Sequence, residues 1–267
     1  MKAKRNWLVV AITIIMAGSL TGCIGDSPNT QDFEWMPSYM NIKNGNFCME
    51  TLAGDVYISS STASVNEYLY EFGLSWFNIN YDEQPVGTDG INVPYTAVLH
   101  PNGWIPVKNG YLRTSEGELP DSHVDTIIDA FLLYNQLIRN HAFFVMREEA
   151  PGDREYRYYM TLNTDSTAQN DGIPALYIQA EITSAGSETP KTVDHFFAFS
   201  MDELFYDGSY VKDITIGGAS CESVEFSLHV QSSVDKETGK PIFTQVFVRD
   251  AQTGSIVSRT HSVFRVK

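Results

Sequence analysis

From Ala175 to Thr183, apolar and polar residues alternate one for one: Leu176, Ile178, Ala180 and Ile182 against Tyr177, Gln179 and Glu181. The same rule runs from Ser223 to Gln231, where Val224, Phe226, Leu228 and Val230 alternate with Glu225, Ser227 and His229. Side chains of a strand point alternately to its two faces, so this period demands strands with one face in a core and one in water, as antiparallel sheets provide. Tyr156–Leu162, Val193–Ser200, Ile242–Arg249 and Ile256–Val266 extend the pattern, and residues 141–267 are expected to form an antiparallel β-sandwich. Two loops share a local rule, Asp235-Lys236-Glu237-Thr238-Gly239 and Asp250-Ala251-Gln252-Thr253-Gly254. In each, an aspartate can accept from the turn's amides and a glycine can take the left-handed position that closes a hairpin. Neither offers enough spaced oxygens for a calcium loop, and Asn163–Gly172 is read the same way, as a polar hairpin loop.

The stretch before this is β-like but irregular. Asp55-Val56-Tyr57-Ile58-Ser59 alternates; Phe77, Ile79 and Tyr81 fall on one face, opposite Trp76, Asn78 and Asn80; Val93–Leu99 and Trp104–Val107 are further strands. Gly87, Gly90, Asn102-Gly103 and Asn109-Gly110 separate them, so residues 40–120 are expected to form a small barrel or sandwich. Val124, Ile127, Ile128, Phe131, Tyr134 and Ile138 recur at helical spacing after a capping Asp121 or Ser122, which predicts a connecting helix over 121–140. The competing reading is one or two buried strands, because Ile127–Leu133 is largely apolar.

The amino terminus carries a different kind of signal. Lys2, Lys4 and Arg5 precede an apolar run from Trp7 to Leu20, too short to span a bilayer, and the run ends in Leu20-Thr21-Gly22-Cys23. A basic start, a short apolar middle and small residues before a cut site make a secretory signal over residues 1–22. The last four residues resemble the lipobox of bacterial lipoproteins. That resemblance implies diacylation of Cys23, removal of the preceding peptide and acylation of the new terminus. Since each buried CH₂ contributes about 0.8 kcal/mol and more than one chain is needed for stable attachment, three acyl chains would hold the protein at a membrane. Residues 23–39, rich in Asp, Ser, Pro, Asn, Thr and Gln, are expected to be a flexible tether. Exported chains can form disulfides, so Cys48 and Cys221 are either a disulfide pair or two buried thiols.

Charge narrows the partners. The signal holds three of the 18 basic residues and none of the 33 acids, so the remaining ~245 residues carry −18 at pH 7. This excludes nucleic acid and charge-driven docking on anionic lipid as expected partners. Aromatic residues make up 12% of the chain, enough for a substantial core. The six histidines (100, 123, 141, 195, 229, 261) are scattered without metal-ligand spacing, and no serine-hydrolase elbow, phosphate loop or dinucleotide motif is present. No catalytic residue, metal or cofactor is therefore expected. Trp76, Trp104, Tyr156, Tyr158 and Tyr159 could make a sugar-stacking platform, but aromatic residues on alternating strands are more often core.

His141-Ala142-Phe143-Phe144-Val145, Ile173–Thr183 and Val193–Leu204, the last a strand ending in Phe-Ser-x-x-x-Leu, resemble the NigD-like lipoproteins of Bacteroidota. The resemblance implies an OB-like barrel followed by a β-sandwich. It also implies a lipid-anchored, non-enzymatic envelope protein of the outer membrane, with a bacteriocin immunity or accessory role. Of functional residues, only Cys23 carries over. The alternative is a carbohydrate-binding lipoprotein of a glycan-uptake system, and the partner, protein or glycan, is unspecified.

Overall fold

The computed structural model describes residues 29–59, 65–84, 94–113, 129–163, 172–206, 208–250 and 252–266. The signal, Cys23, most of the proposed tether, residues 121–128 of the predicted helix and the body of the Asn163–Gly172 loop lie outside the described residues.

Five strands, β1 (Thr30–Lys43), β2 (Asn46–Thr51), β3 (Gly54–Ile58), β4 (Phe72–Asn80) and β5 (Tyr95–Pro106), close into a barrel in the order β1-β2-β3-β5-β4. All its pairings are antiparallel except β3 with β5, the Greek-key arrangement of an OB-like barrel. Met40, Met49, Val56, Ile58, Phe77, Ile79, Ala97, Leu99 and Trp104 fill it. Two expectations are corrected here. The barrel begins at Thr30, so residues 30–39 are strand and not tether; the segments around Ala97 and Trp104 are one continuous strand in which Asn102-Gly103 makes a bulge and no turn.

After β5, two short strands, β6 (Lys108–Asn109) and β7 (Tyr111–Arg113), part company: β6 pairs with Phe197 and Ala198 in one sheet and β7 with Tyr159, Met160 and Thr161 in the other. Gly110, between them, passes so close to Phe199 that a Cβ there would lie 1.9 Å from Cε1 of the ring. β8 (Asp129–Leu132) pairs with β9 (His141–Ala150). The described part of the 121–140 span is thus a strand followed by irregular chain, not the predicted helix. Backbone pairing with Phe144–Arg147 decides it, and the apolar spacing serves a strand and then isolated contacts from Tyr134 and Ile138.

The remaining strands are β10 (Glu155–Asn163), β11 (Ala175–Ser184), β12 (Lys191–Ser200), β13 (Val211–Ile216), β14 (Ala219–Val234), β15 (Pro241–Val246), β16 (Val248–Arg249), β17 (Ile256–Ser258) and β18 (His261–Val266), with one helical turn, α1 (Asp202–Tyr206), after β12. A four-stranded sheet, β6-β12-β9-β8, faces a seven-stranded one built on β13-β14-β11-β10-β7, with β15 and β18 also pairing to the long β14. Ala142, Phe144, Met146, Phe197 and Phe199 from the first interdigitate with Tyr156, Tyr158, Met160, Leu176, Ile178, Val224, Phe226 and Leu228 from the second. The sandwich therefore starts at residue 108, not 141, and is mixed rather than purely antiparallel, since β6–β12, β7–β10 and β11–β14 run parallel. Of the outward residues, Gln179, Ser227 and Gln231 are buried while Tyr177, Glu181, Glu225 and His229 are partly buried, so this alternating face meets water less than expected.

A third apolar cluster joins the two halves. Phe72, Leu74 and Val107 from the barrel side meet Ile138, Phe143 and Ala198 from the sandwich side, flanked by Trp35 and Tyr39.

Candidate binding surface

Within β4, Ser75 pairs with Met36 and Trp104, and Phe77 pairs with Phe33 and Leu99. Trp76 between them has no partner residue in either neighbouring strand. β1 spends two residues, Glu34 and Trp35, in passing it, and β5 spends four, His100–Gly103. Bulges re-aim side chains, and these two converge on one tryptophan. Both need left-handed backbone: Trp35 has φ +52° and Asn102 φ +58°. A bulky residue in that region is uncommon and costs about 1–3 kcal/mol, which the surrounding packing must offset. Gly103 is required as well, since a Cβ there would meet the Trp76 carbonyl oxygen at 2.5 Å and that of His100 at 2.8 Å.

The result is a step of three rings on the barrel's outer face. Trp35 and Trp76 lie 5.9 Å apart at 49°, and the imidazole of His100 covers Trp76 at 4.4 Å and 30°. His100 Nε2 is 2.8 Å from Asp32 Oδ1, to which Asn78 Nδ2 also donates at 3.1 Å. These bonds, that of His100 foremost, hold the Asp32 carboxyl below its ordinary range. Among the described residues the Trp76 indole N–H is buried without a partner. Tyr134, from the sandwich side, donates to the Trp35 carbonyl at 3.4 Å, so the step sits on the seam between the halves. Chemically it offers aromatic faces beside one carboxylate. Among the described residues the side-chain hydrogen bond given to His100 is the one to Asp32.

The other expected site residues are dispersed. Trp104 is in the barrel core, stacked on Tyr68, and Tyr156 and Tyr158 are in the sandwich core; Tyr159 faces outward and donates to Glu181 at 2.7 Å. The platform of Trp76 with Trp104 and the tyrosines therefore does not exist, because alternation sends all but Trp76 and Tyr159 inward. Cys48 on β2 and Cys221 on β14 are both buried free thiols, one in the barrel and one in the sandwich, which corrects the disulfide reading. Burial pushes the Cys48 thiol up to about 11, opposite to what a nucleophile needs.

Two histidine pairs escaped the sequence reading. Glu148, 3% exposed, lies 3.1 Å from His195 Nε2 on the core side of the sandwich, with the Tyr156 ring edge-on to the imidazole at 4.6 Å. Ser227 Oγ is 3.1 Å from His229 Nε2, under the stacked ring of Tyr177, but Ser227 is only 1% exposed. Among the described residues no group of three or more His, Cys, Asp or Glu side chains could hold a metal. The signal for the Trp76 step was present in Asn102-Gly103 inside an alternating run, but Trp35 and Asp32 become its neighbours only through strand pairing.

No family model matches the sequence, and no curated protein matches it. Solved structures do match. An uncharacterized protein of Parabacteroides merdae ATCC 43184 superposes with a TM-score of 0.55 at 11% identity, over 79% of this chain and 95% of that one. A "Putative lipoprotein" of Bacteroides fragilis NCTC 9343 superposes at 0.50 and 11% identity, over 84% and 100%. A NigD-like immunity protein of Bacteroides caccae ATCC 43185 aligns at 0.41 and 10% identity, over 82% and 93%. The first two share the fold of this chain, and a NigD-like protein is among its structural neighbours. None of the three is named for an enzymatic activity.

Proposed function

We propose that this chain is a lipid-anchored protein of the bacterial cell envelope, held at the outer membrane by acyl chains on Cys23, which binds a partner and catalyses no reaction. The observation that carries this reading is Leu20-Thr21-Gly22-Cys23 at the end of a short apolar run, its cysteine seven positions before the barrel's first strand. No described helix is long and apolar enough to cross a membrane, so attachment through the signal and its cysteine fits the body that follows. The fold shared with the Bacteroides fragilis chain named a "Putative lipoprotein" supports the same placement. A NigD-like accessory or immunity role follows from the resemblance read at His141–Val145 and Val193–Leu204. Carbohydrate binding is the weaker alternative, since the 49° tilt between Trp35 and Trp76 is not the flat platform a sugar ring stacks on.

The test is Cys23→Ala expressed beside the parent chain with a labelled fatty acid. The parent is expected to take up label and partition with membranes, with a mature terminus at Cys23 by mass spectrometry. The variant is expected to lose label and to remain unprocessed or to leave the membrane fraction. A parent chain that takes up no label, or whose mature terminus lies elsewhere than Cys23, would overturn the anchor.

A further inference from the structure

The barrel has two distinct ends. At one, Thr30 pairs with Asn80, the Asn29 carbonyl accepts from Tyr81 N–H at 2.8 Å, and Asp82 Oδ2 accepts from Asn29 N–H at 2.8 Å. At the other, Tyr39 pairs with Phe72, and Phe72 packs on His141 at 4.5 Å and on Phe143 at 5.7 Å. The eight residue steps along β4 from Phe72 to Asn80 separate these ends by about 26 Å. The sandwich is therefore gripped at the end opposite to the one where the chain arrives from Cys23. Strand β9 then carries the sandwich on from His141 to Ala150, whose partner Lys191 lies just after the Thr189 loop.

Cys23 and Thr30 are seven residues apart, at most about 25 Å at full extension. On the Cys23-anchor reading above, the arriving end of the barrel cannot stand far from the bilayer. That end exposes aromatic and apolar surface: Tyr95 is 49% exposed, edge-on to Tyr81 at 5.4 Å, and Val98, two strand positions beyond Thr96, is 51% exposed. Tyrosine has an apolar body and a polar tip and favours the membrane–water interface. Asp82 and Glu83 in the adjoining turn rule out attraction by charge. We propose that the barrel end bearing Tyr81, Tyr95 and Val98 lies against the lipid surface, so that the sandwich points away from the membrane and the Trp35–Trp76 step stands between them. The lipid is zwitterionic-tolerant, because the contact is aromatic and apolar.

The test uses the full-length acylated protein in vesicles of phosphatidylethanolamine and phosphatidylglycerol containing a headgroup nitroxide lipid. A fluorophore is placed on Tyr95→Cys, Val98→Cys or Thr189→Cys in turn. Cys48 and Cys221 are buried and Cys23 is occupied, so the label goes to the new thiol. Quenching is expected to be several-fold greater at positions 95 and 98 than at 189, and insensitive to salt. Equal quenching at all three, or most at 189, in protein that is acylated and floats with the vesicles would overturn the orientation alone. A bare thiol at Cys23 in protein that does not float would overturn the anchor itself. Val98→Cys keeps the test intact if Tyr95→Cys disturbs its pairing with Tyr81.

Discussion

The guanidinium of Arg139 lies 4.3 Å over the ring of Tyr39, and its Nε is 3.7 Å from Glu50 Oε2. It reaches from the turn before β9 to two barrel strands, across the apolar seam of Phe72, Leu74, Phe143 and Ala198. The turn is strained, with Arg139 at φ +49° and Asn140 at φ +61°. The chain holds other arginines the same way: Arg157 with Tyr111 and Glu181, and Arg265 with Phe205 and Glu222.

Arg139→Ala should therefore lower unfolding stability by about 1 kcal/mol, the scale of a half-exposed cation–π contact. Arg139→Gly should cost less, because glycine relaxes the left-handed backbone while losing the same contact. Urea melts of the three proteins check the order. A larger loss with glycine would mean that backbone strain at this turn is negligible.

At the crossing between sheets, Gly110→Ala should destabilise by about 1–3 kcal/mol, the cost of overpacking, because its Cβ has no room beside Phe199. Phe199→Leu in the same chain should return part of that loss. The comparison of single and double variants by thermal melts gives the coupling directly.

Acid should weaken the fold in two windows. Burial pushes His261 down to about 4 from 6.5, so the unfolded chain takes up the proton first. Its contribution is full above about pH 6.5 and is lost as pH falls towards 4. His141 and His229, lowered by burial, act in the same direction. Asp153, held at about 2 by the amides of Glu188 and Ser187, and Asp235 and Asp250, held low by their own turns, lose their contribution only as pH falls further. His261→Phe, which keeps the stack on Phe226, should flatten the dependence of Tm on pH between 6.5 and 4 and leave the lower window unchanged.

The two thiols of the body should be silent until the fold opens. In Cys23→Ala protein, Cys48 and Cys221 should resist alkylation under native conditions and react together in urea, and reduction should not change electrophoretic mobility. Fast native labelling of Cys48 would contradict its burial and raised pKa.

What could be read along the chain was whatever is decided by neighbours in sequence. The loops at 235–239 and 250–254 form as expected: Asp235 Oδ1 accepts from the amides of Glu237 and Thr238 at 2.8 Å, Asp250 Oδ1 from those of Gln252 and Thr253, and Gly239 and Gly254 have φ near +68° and +69°. The inward faces of β11 and β14 follow from period two, because a pleated strand has only two sides. Leu20-Thr21-Gly22-Cys23 is likewise a linear signal. The tertiary structure decided the rest. Residues 129–132 became strand because β9 supplied partners, overriding a helical spacing that no local bond enforced. Gln179 and Gln231 turned out buried on the face that alternation assigns to water, and their mutual bond at 3.3 Å makes that tolerable. Trp35, Trp76, His100 and Asp32 met because two bulges in different strands shift register around one residue. Register between distant strands is set by the hydrogen bonds and packing of the whole barrel, and residues that far apart in the chain carry no mark of it.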